Sequence, residues 1–201
     1  MRLVCFGDSN TYGYDPRSFL GGRYGPDVRW TALLDHETTW EVVNAGQNGR
    51  EVPHSPRQLH QAAEELRSFG RADLTVVMLG GNDLLQNGAF TAADAAARME
   101  SFLRFLLAEG WLPSSLLLIA PSPLVRGAWV TEERLLRQSA ALGTEYAAVA
   151  ARLGVRFADS ADWNTEVLFD GVHYSEQGHR AFADGMKRLL ADIGNLPQSA
   201  P

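Results

Sequence analysis

A single cysteine in 201 residues, Cys5, rules out a disulfide framework within the chain, and its place inside an apolar run marks it as a small core hydrophobe. No apolar run approaches the roughly 18 residues that a membrane-spanning helix needs. Basic clusters are also missing, and 24 acidic against 18 basic residues give a net charge of -6. That balance argues against nucleic acid or an anionic membrane as a partner. No charged segment followed by an apolar stretch precedes the first strand, so a cytoplasmic location is the expectation. Neither internal repeats nor low-complexity stretches occur. Paired-cysteine and His-x-x-x-His spacings are absent too, which argues against a metal site; no cofactor is expected. A chain of this length buries a full core unaided, and one domain over 1–195 is expected, with 196–201 as a frayed tail.

Five short apolar runs are present: Leu3 to Phe6, Trp40 to Asn44, Asp73 to Leu79, Ser115 to Ala120 and Val155 to Asp159. Those at Asp73 and Ser115 are almost continuous in apolar residues, as strands covered on both faces are. Segments of helical period separate the runs. One opens at Thr91, with Asp94 three residues on, and carries Ala95, Met99, Phe102, Leu103 and Leu106 before Gly110. A second follows Thr131, with Glu132 and Glu133 in its first turn. The last begins near Ser175, and Pro56 to Phe69 and Arg29 to Asp35 read as shorter helices. Five alternations predict an α/β chain folded as a three-layer α/β/α sandwich, flavodoxin-like, around a five-stranded parallel sheet. Tyr14 to Val28 and Ser160 to Tyr174 are longer connections than this fold requires.

Ligands bind at the carboxyl edge of such a sheet, so the residues just after each strand carry the chemistry. Phe6-Gly7-Asp8-Ser9-Asn10-Thr11-Tyr12-Gly13 presents a hydroxyl there. Asn44-Ala45-Gly46-Gln47-Asn48-Gly49 follows the second strand, Gly80-Gly81-Asn82-Asp83 the third, and Asp170-Gly171-Val172-His173 lies in the long loop after the fifth. His173 has the chemistry of a general base for Ser9, and Asp170, three residues away, can hold its Nδ1–H and fix the tautomer. Gly46 and Asn82 offer a backbone N–H and an uncharged amide for an oxyanion site. Each motif alone also reads as ordinary turn chemistry; the joint occurrence at one edge is what points to catalysis. His36, His54, His60 and His179 have no acidic partner in sequence, and surface or packing roles suffice for them.

These blocks resemble those of the SGNH hydrolases, or GDSL-type esterases, over residues 7 to 173. Asn10 stands where the name-giving motif has Leu, and Pro26-Asp27-Val28-Arg29-Trp30 is similar to a bacterial arylesterase and acyltransferase branch. The resemblance implies a metal-free serine esterase with Ser9, Asp170 and His173 as its catalytic residues. The oxyanion site would combine the Ser9 and Gly46 N–H groups with the Asn82 amide, leaving Asp8 and Asp83 as structural residues. Tyr12, Trp129 and Trp163 are candidates for the rim of a substrate pocket, with packing as the alternative. Short acyl esters of small alcohols, aryl compounds or sugars are the expected substrates; oligomeric state, including a homo-oligomer, stays open. Two rivals remain: a flavodoxin-like module cradling a phosphate or flavin in the Ser9 loop, and a metal-dependent hydrolase built on Asp8, Asp83, Asp170 and His173.

Overall fold

The computed structural model describes residues 1–18 and 22–194, so the expected frayed tail, 196–201, lies outside the described residues. In chain order the elements are β1 (Arg2–Gly7), α1 (Ser9–Tyr12), β2 (Tyr14–Asp15), β3 (Gly22–Arg23), α2 (Trp30–Glu37), β4 (Glu41–Gly46), α3 (Pro56–Ser68), β5 (Leu74–Met78), α4 (Gly81–Gln86), α5 (Ala92–Ala108), β6 (Leu116–Ala120), α6 (Glu133–Leu153), β7 (Arg156–Asp159) and α7 (Glu176–Gly194). Five strands form one parallel sheet in the order β4-β1-β5-β6-β7, the flavodoxin-like order in which the first strand lies beside the second and the third.

The apolar runs divide their residues between two cores with the period of a strand. Val4, Phe6, Val77, Leu116 and Leu118 face α3, α5 and α6; Leu3, Cys5, Val76, Leu117 and Ile119 face α2 and α7. Burial on both faces explains why β5 and β6 have no polar alternation. Helix starts follow their local signals. Ser55 and Thr91 form capping boxes with Gln58 and Asp94, and the Ser175 hydroxyl accepts the Gly178 N–H at 3.0 Å to begin α7. Glu132, expected in the first turn of α6, is instead the residue before it.

Three elements depart from the sequence expectation. The Ser9 loop is a helical turn, the Gly81 loop is another, and the long connection after Tyr14 contains a two-stranded antiparallel hairpin pairing Tyr14 with Arg23 and Asp15 with Gly22. All three are too short for a periodicity to register.

The seat of α1 on the sheet edge is unusually close. Gly7 and Gly46 are register partners at the ends of β1 and β4. A Cβ on Gly46 would lie 2.2 Å from the Tyr12 nitrogen and 2.6 Å from the Thr11 carbonyl carbon, so only glycine lets α1 rest there. Gly46→Ala is expected to destabilise the protein by about 1–3 kcal/mol through this overpacking. Urea unfolding checks it, and an unshifted midpoint would show that α1 is free to move.

Candidate active site

The turn from β1 into α1 is made by one residue, Asp8, whose Oδ1 accepts the Asn10 N–H at 3.0 Å and caps the helix. Gly13, with φ of 88°, ends α1 after a single turn. Ser9 is thereby held, buried, at the start of that turn. Asn10 links this turn to the loop before α7. Its Nδ2 donates to the Val172 carbonyl at 3.0 Å and its Oδ1 accepts the Tyr174 N–H at 3.0 Å, one bond on each side of His173. The result is direct: His173 Nε2 lies 2.9 Å from Ser9 Oγ.

On the other side of the imidazole, Nδ1 is 2.7 Å from Asp170 Oδ2, while Asp170 Oδ1 accepts the Val172 and His173 N–H groups at 2.9 and 3.0 Å. Burial of Asp170 pushes its pKa up, but the bonds from His173 and Val172 outweigh it and hold the carboxyl below the usual carboxylate value. The backbone of this loop is pinned by the segment after β6: Val125, Ala128 and Trp129 donate to the carbonyls of Gly171, Phe169 and Asp170 at 3.1, 2.9 and 3.0 Å. The two segments meet through glycine. A Cβ on Gly127 would fall 2.4 Å from the Gly171 nitrogen.

Two aromatic rings flank the imidazole, Tyr14 at 4.8 Å and Trp129 edge-on at 5.2 Å between centroids. Both line an open cavity of about 480 Å³ with Ser9, His173, Asn82, Gly49, Leu85 and Gln86. Of the three aromatics proposed from sequence, only Trp129 is among the residues lining it. Tyr12 lies under the Arg23 guanidinium, 4.3 Å from its ring centroid, and Trp163 packs edge-on against Phe182 in the α2/α7 core. The physical reason for Trp163 is that the chain after β7 turns back along α7, where Gly185 leaves room for the indole.

The two glycines of the segment after β4 differ in what their N–H groups can offer. Gly46 is still inside β4, and its N–H donates to Asn44 Oδ1 at 3.0 Å, which leaves nothing to offer a ligand. Gly49, three residues on, lines the cavity with φ of 72°, and its N–H has no acceptor among the described residues. Three side chains of α4 fix that segment: Asn82 Nδ2 donates to the Arg50 carbonyl at 3.0 Å, Gln86 Nε2 to the Gly49 carbonyl at 3.1 Å, and Asp83 Oδ2 accepts the Val52 N–H at 3.0 Å. The Asn48-Gly49 pair was the sequence signal for this, since Asn-Gly marks a turn with positive φ. Tyr14 and Gln86 carried no comparable signal.

The site's geometry speaks to both rival chemistries. The amino end of α1 is already capped by the Asp8 carboxylate, which repels a phosphate. Asp83 faces Arg98 at 2.8 Å and Asp170 faces His173, so the four proposed ligands do not converge; among the described residues no three His, Cys, Asp or Glu side chains group as metal ligands. His179, between Tyr24 and Tyr174, is fully buried, and burial lowers its pKa to about 3. It is a neutral packing residue at working pH.

Residues 5–181 match the GDSL-like lipase/acylhydrolase family. Among solved structures, the aryl esterase of M. smegmatis superposes with a TM-score of 0.81 at 25% identity, covering 96% of this chain and 99% of that one. A carbohydrate acetylesterase family member from Sinorhizobium meliloti gives 0.83 at 25% identity, covering 97% and 99%. No curated protein sequence matches the chain significantly. Among the described residues no helix is long and apolar enough to cross a membrane.

Burial raises the Asp8 pKa to about 6, above its value in the unfolded chain, so the ionised form disfavours the folded state and this cost disappears as pH falls from 6 towards 4. Asp170 has the opposite sign: its contribution is present above the ordinary carboxylate pKa and is lost as pH drops through its lowered value. Asp8→Asn, which keeps an acceptor for Asn10, is expected to be more stable than wild type at pH 7 by about 2–3 kcal/mol. The difference should close near pH 4. Denaturant midpoints at the two pH values check this, and equal gaps at both would contradict it.

Proposed function

The chain belongs to the GDSL-like lipase/acylhydrolase family, and from that premise we propose that it is a serine esterase that cleaves short acyl esters, acetyl esters above all, through an acyl-enzyme. The observation that carries the reading is the continuous hydrogen-bonded line Asp170 Oδ2, His173 Nδ1, His173 Nε2, Ser9 Oγ, with spacings of 2.7 and 2.9 Å, at the floor of an open cavity. A nucleophile, a base within reach of its proton and an orienter for the base are what acyl transfer to serine requires.

In the first half-reaction Ser9 Oγ forms a bond to the ester carbonyl carbon while its proton passes to His173 Nε2. The carbonyl π bond becomes an oxyanion, which the Ser9 and Gly49 N–H groups and the Asn82 amide stabilise. Collapse restores the carbonyl and breaks the bond to the alcohol oxygen, which takes the proton from His173. Water then repeats the sequence on the acyl-enzyme: it gives a proton to His173, adds to the carbonyl, and Ser9 leaves with that proton. Asp170 stays ionised throughout, holding Nδ1–H and stabilising the imidazolium. Gly49 replaces Gly46 in this scheme because its N–H has no acceptor among the described residues, whereas that of Gly46 bonds to Asn44 Oδ1. Asn82 suits its role because the Arg50 carbonyl anchors one N–H of the amide and leaves the other free. Among the similar structures, the carbohydrate acetylesterase family member supports a small acyl group, and together with the aryl esterase it leaves aryl and sugar alcohols both open.

A fluorophosphonate probe should label the protein at Ser9, shown by peptide mapping, and Ser9→Ala should lose both the label and the hydrolysis of p-nitrophenyl acetate. Labelling elsewhere with activity intact would overturn the assignment. Asn82→Ala is expected to lower kcat by about 10²-fold or more; single-turnover kinetics that left the acylation rate unchanged would remove Asn82 from the oxyanion site.

A further inference from the structure

A second, narrower and more enclosed cavity lies behind Ser9, and it meets the open one there. Ser9, Asn82, Leu85 and Val172 line both. The enclosed cavity is completed by the segment after β6 and the inner face of α6, with Pro121, Ser122, Leu124 and Leu142 among its walls. The open cavity holds about 480 Å³, and this one only about 20 Å³. A space of that size admits one water-sized group.

Apart from Ser9 and Asn82, which face the reacting centre, the polar side chains along its wall are already committed. Ser122 Oγ lies 3.0 Å from Ser160 Oγ, 3.2 Å from Tyr174 Oη and 2.6 Å from Thr165 Oγ1; Ser139 Oγ accepts the Leu124 N–H at 3.0 Å and donates to the Leu136 carbonyl. Asp8 and Asn10 are engaged as described above. An apolar group entering the cavity therefore displaces no hydrogen bond of the protein.

An ester carbonyl attacked by Ser9 has two arms, and the position of His173 decides which goes where. His173 must deliver its proton to the departing alcohol oxygen, and it lines the open cavity only. The alcohol arm therefore belongs in the open cavity, from which it can also diffuse away while the acyl group stays on Ser9. Resting on the esterase reading above, we propose that the enclosed cavity is the acyl subsite, sized for the methyl of an acetyl group, with Leu124 and Pro121 as the residues that set its limit. The open cavity beside Tyr14 and Trp129 then accepts alcohols of varied bulk.

Two substrate series on the intact protein test this. With p-nitrophenol as the constant leaving group, kcat/KM should fall by about tenfold or more from acetate to butyrate, the scale on which a closed pocket rejects extra methylenes. With acetyl constant, ethyl, phenyl and naphthyl esters should show no comparable cut-off with size. Leu124→Ala should raise the butyrate-to-acetate ratio by about tenfold. Because Leu124 is buried and its truncation costs stability, Pro121→Ala, half-buried and lining the enclosed cavity alone, provides a second opening; if Leu124→Ala does not fold, the ratio in Pro121→Ala decides. Butyrate hydrolysed as well as acetate by the wild type, or an unchanged ratio in a folded variant, would overturn the subsite. Wild-type protein that hydrolysed no ester in either series would instead overturn the esterase reading itself.

Discussion

The side chain of Asn10 joins the two halves of the site, and the distance between them depends on it. Ser9 comes from the first strand-to-helix turn and His173 from a loop 164 positions later, yet the gap between Ser9 Oγ and His173 Nε2 is a hydrogen-bond length. A general base at that spacing must be held to within a fraction of an ångström. Asn10 does this by binding the backbone on both sides of His173, at Val172 and Tyr174, from the residue adjacent to Ser9. The Trp30 indole adds to the same anchor by donating to the Asn10 carbonyl at 3.0 Å. An aliphatic residue at this position could make neither side-chain bond, so the departure from the Leu of the name-giving motif has a structural consequence of its own.

Around that tie, the site is built by close backbone approach. Gly46 lets α1 rest on the end of β4, and Gly127 lets the segment after β6 lie against the Asp170–Gly171 peptide. Each glycine removes a Cβ from a place where two backbones would otherwise be pushed apart. The oxyanion side is arranged differently. There the short helix α4 uses three polar side chains, Asn82, Asp83 and Gln86, to fix the 49–52 backbone, and Asp83 is itself held by Arg98. Ser9, His173 and the Gly49 and Asn82 donors are thus each fixed by a neighbour that need not touch a ligand through the bond that holds it.

The larger elements were legible because their signals are local and repeated. Five apolar runs alternating with helical periods imply a parallel sheet, and capping boxes such as Ser55/Gln58 and Thr91/Asp94 mark helix starts within a few residues. Single helical turns carry no such repetition, so α1 and α4 read as loops. Side-chain direction was the other blind point. Tyr12, Trp129 and Trp163 are all aromatics in post-strand segments, and nothing local separates the one that lines the cavity from the one under Arg23 or the one packed on Phe182.

Gly46 and Gly49 show where the boundary lies. That a glycine after the second parallel strand lies at the same edge as Ser9 follows from sequence and topology alone, because a parallel sheet brings every strand's carboxyl end to one edge. Which glycine has a free N–H does not follow, because it depends on where β4 stops pairing and on Asn44 turning back to accept the Gly46 N–H. The sequence determined the fold class and the residue types gathered at the edge, through patterns a few residues long. The tertiary structure decided which of those groups are free, which way they face and how much space lies behind Ser9, since these are set by contacts between segments that no local pattern encodes.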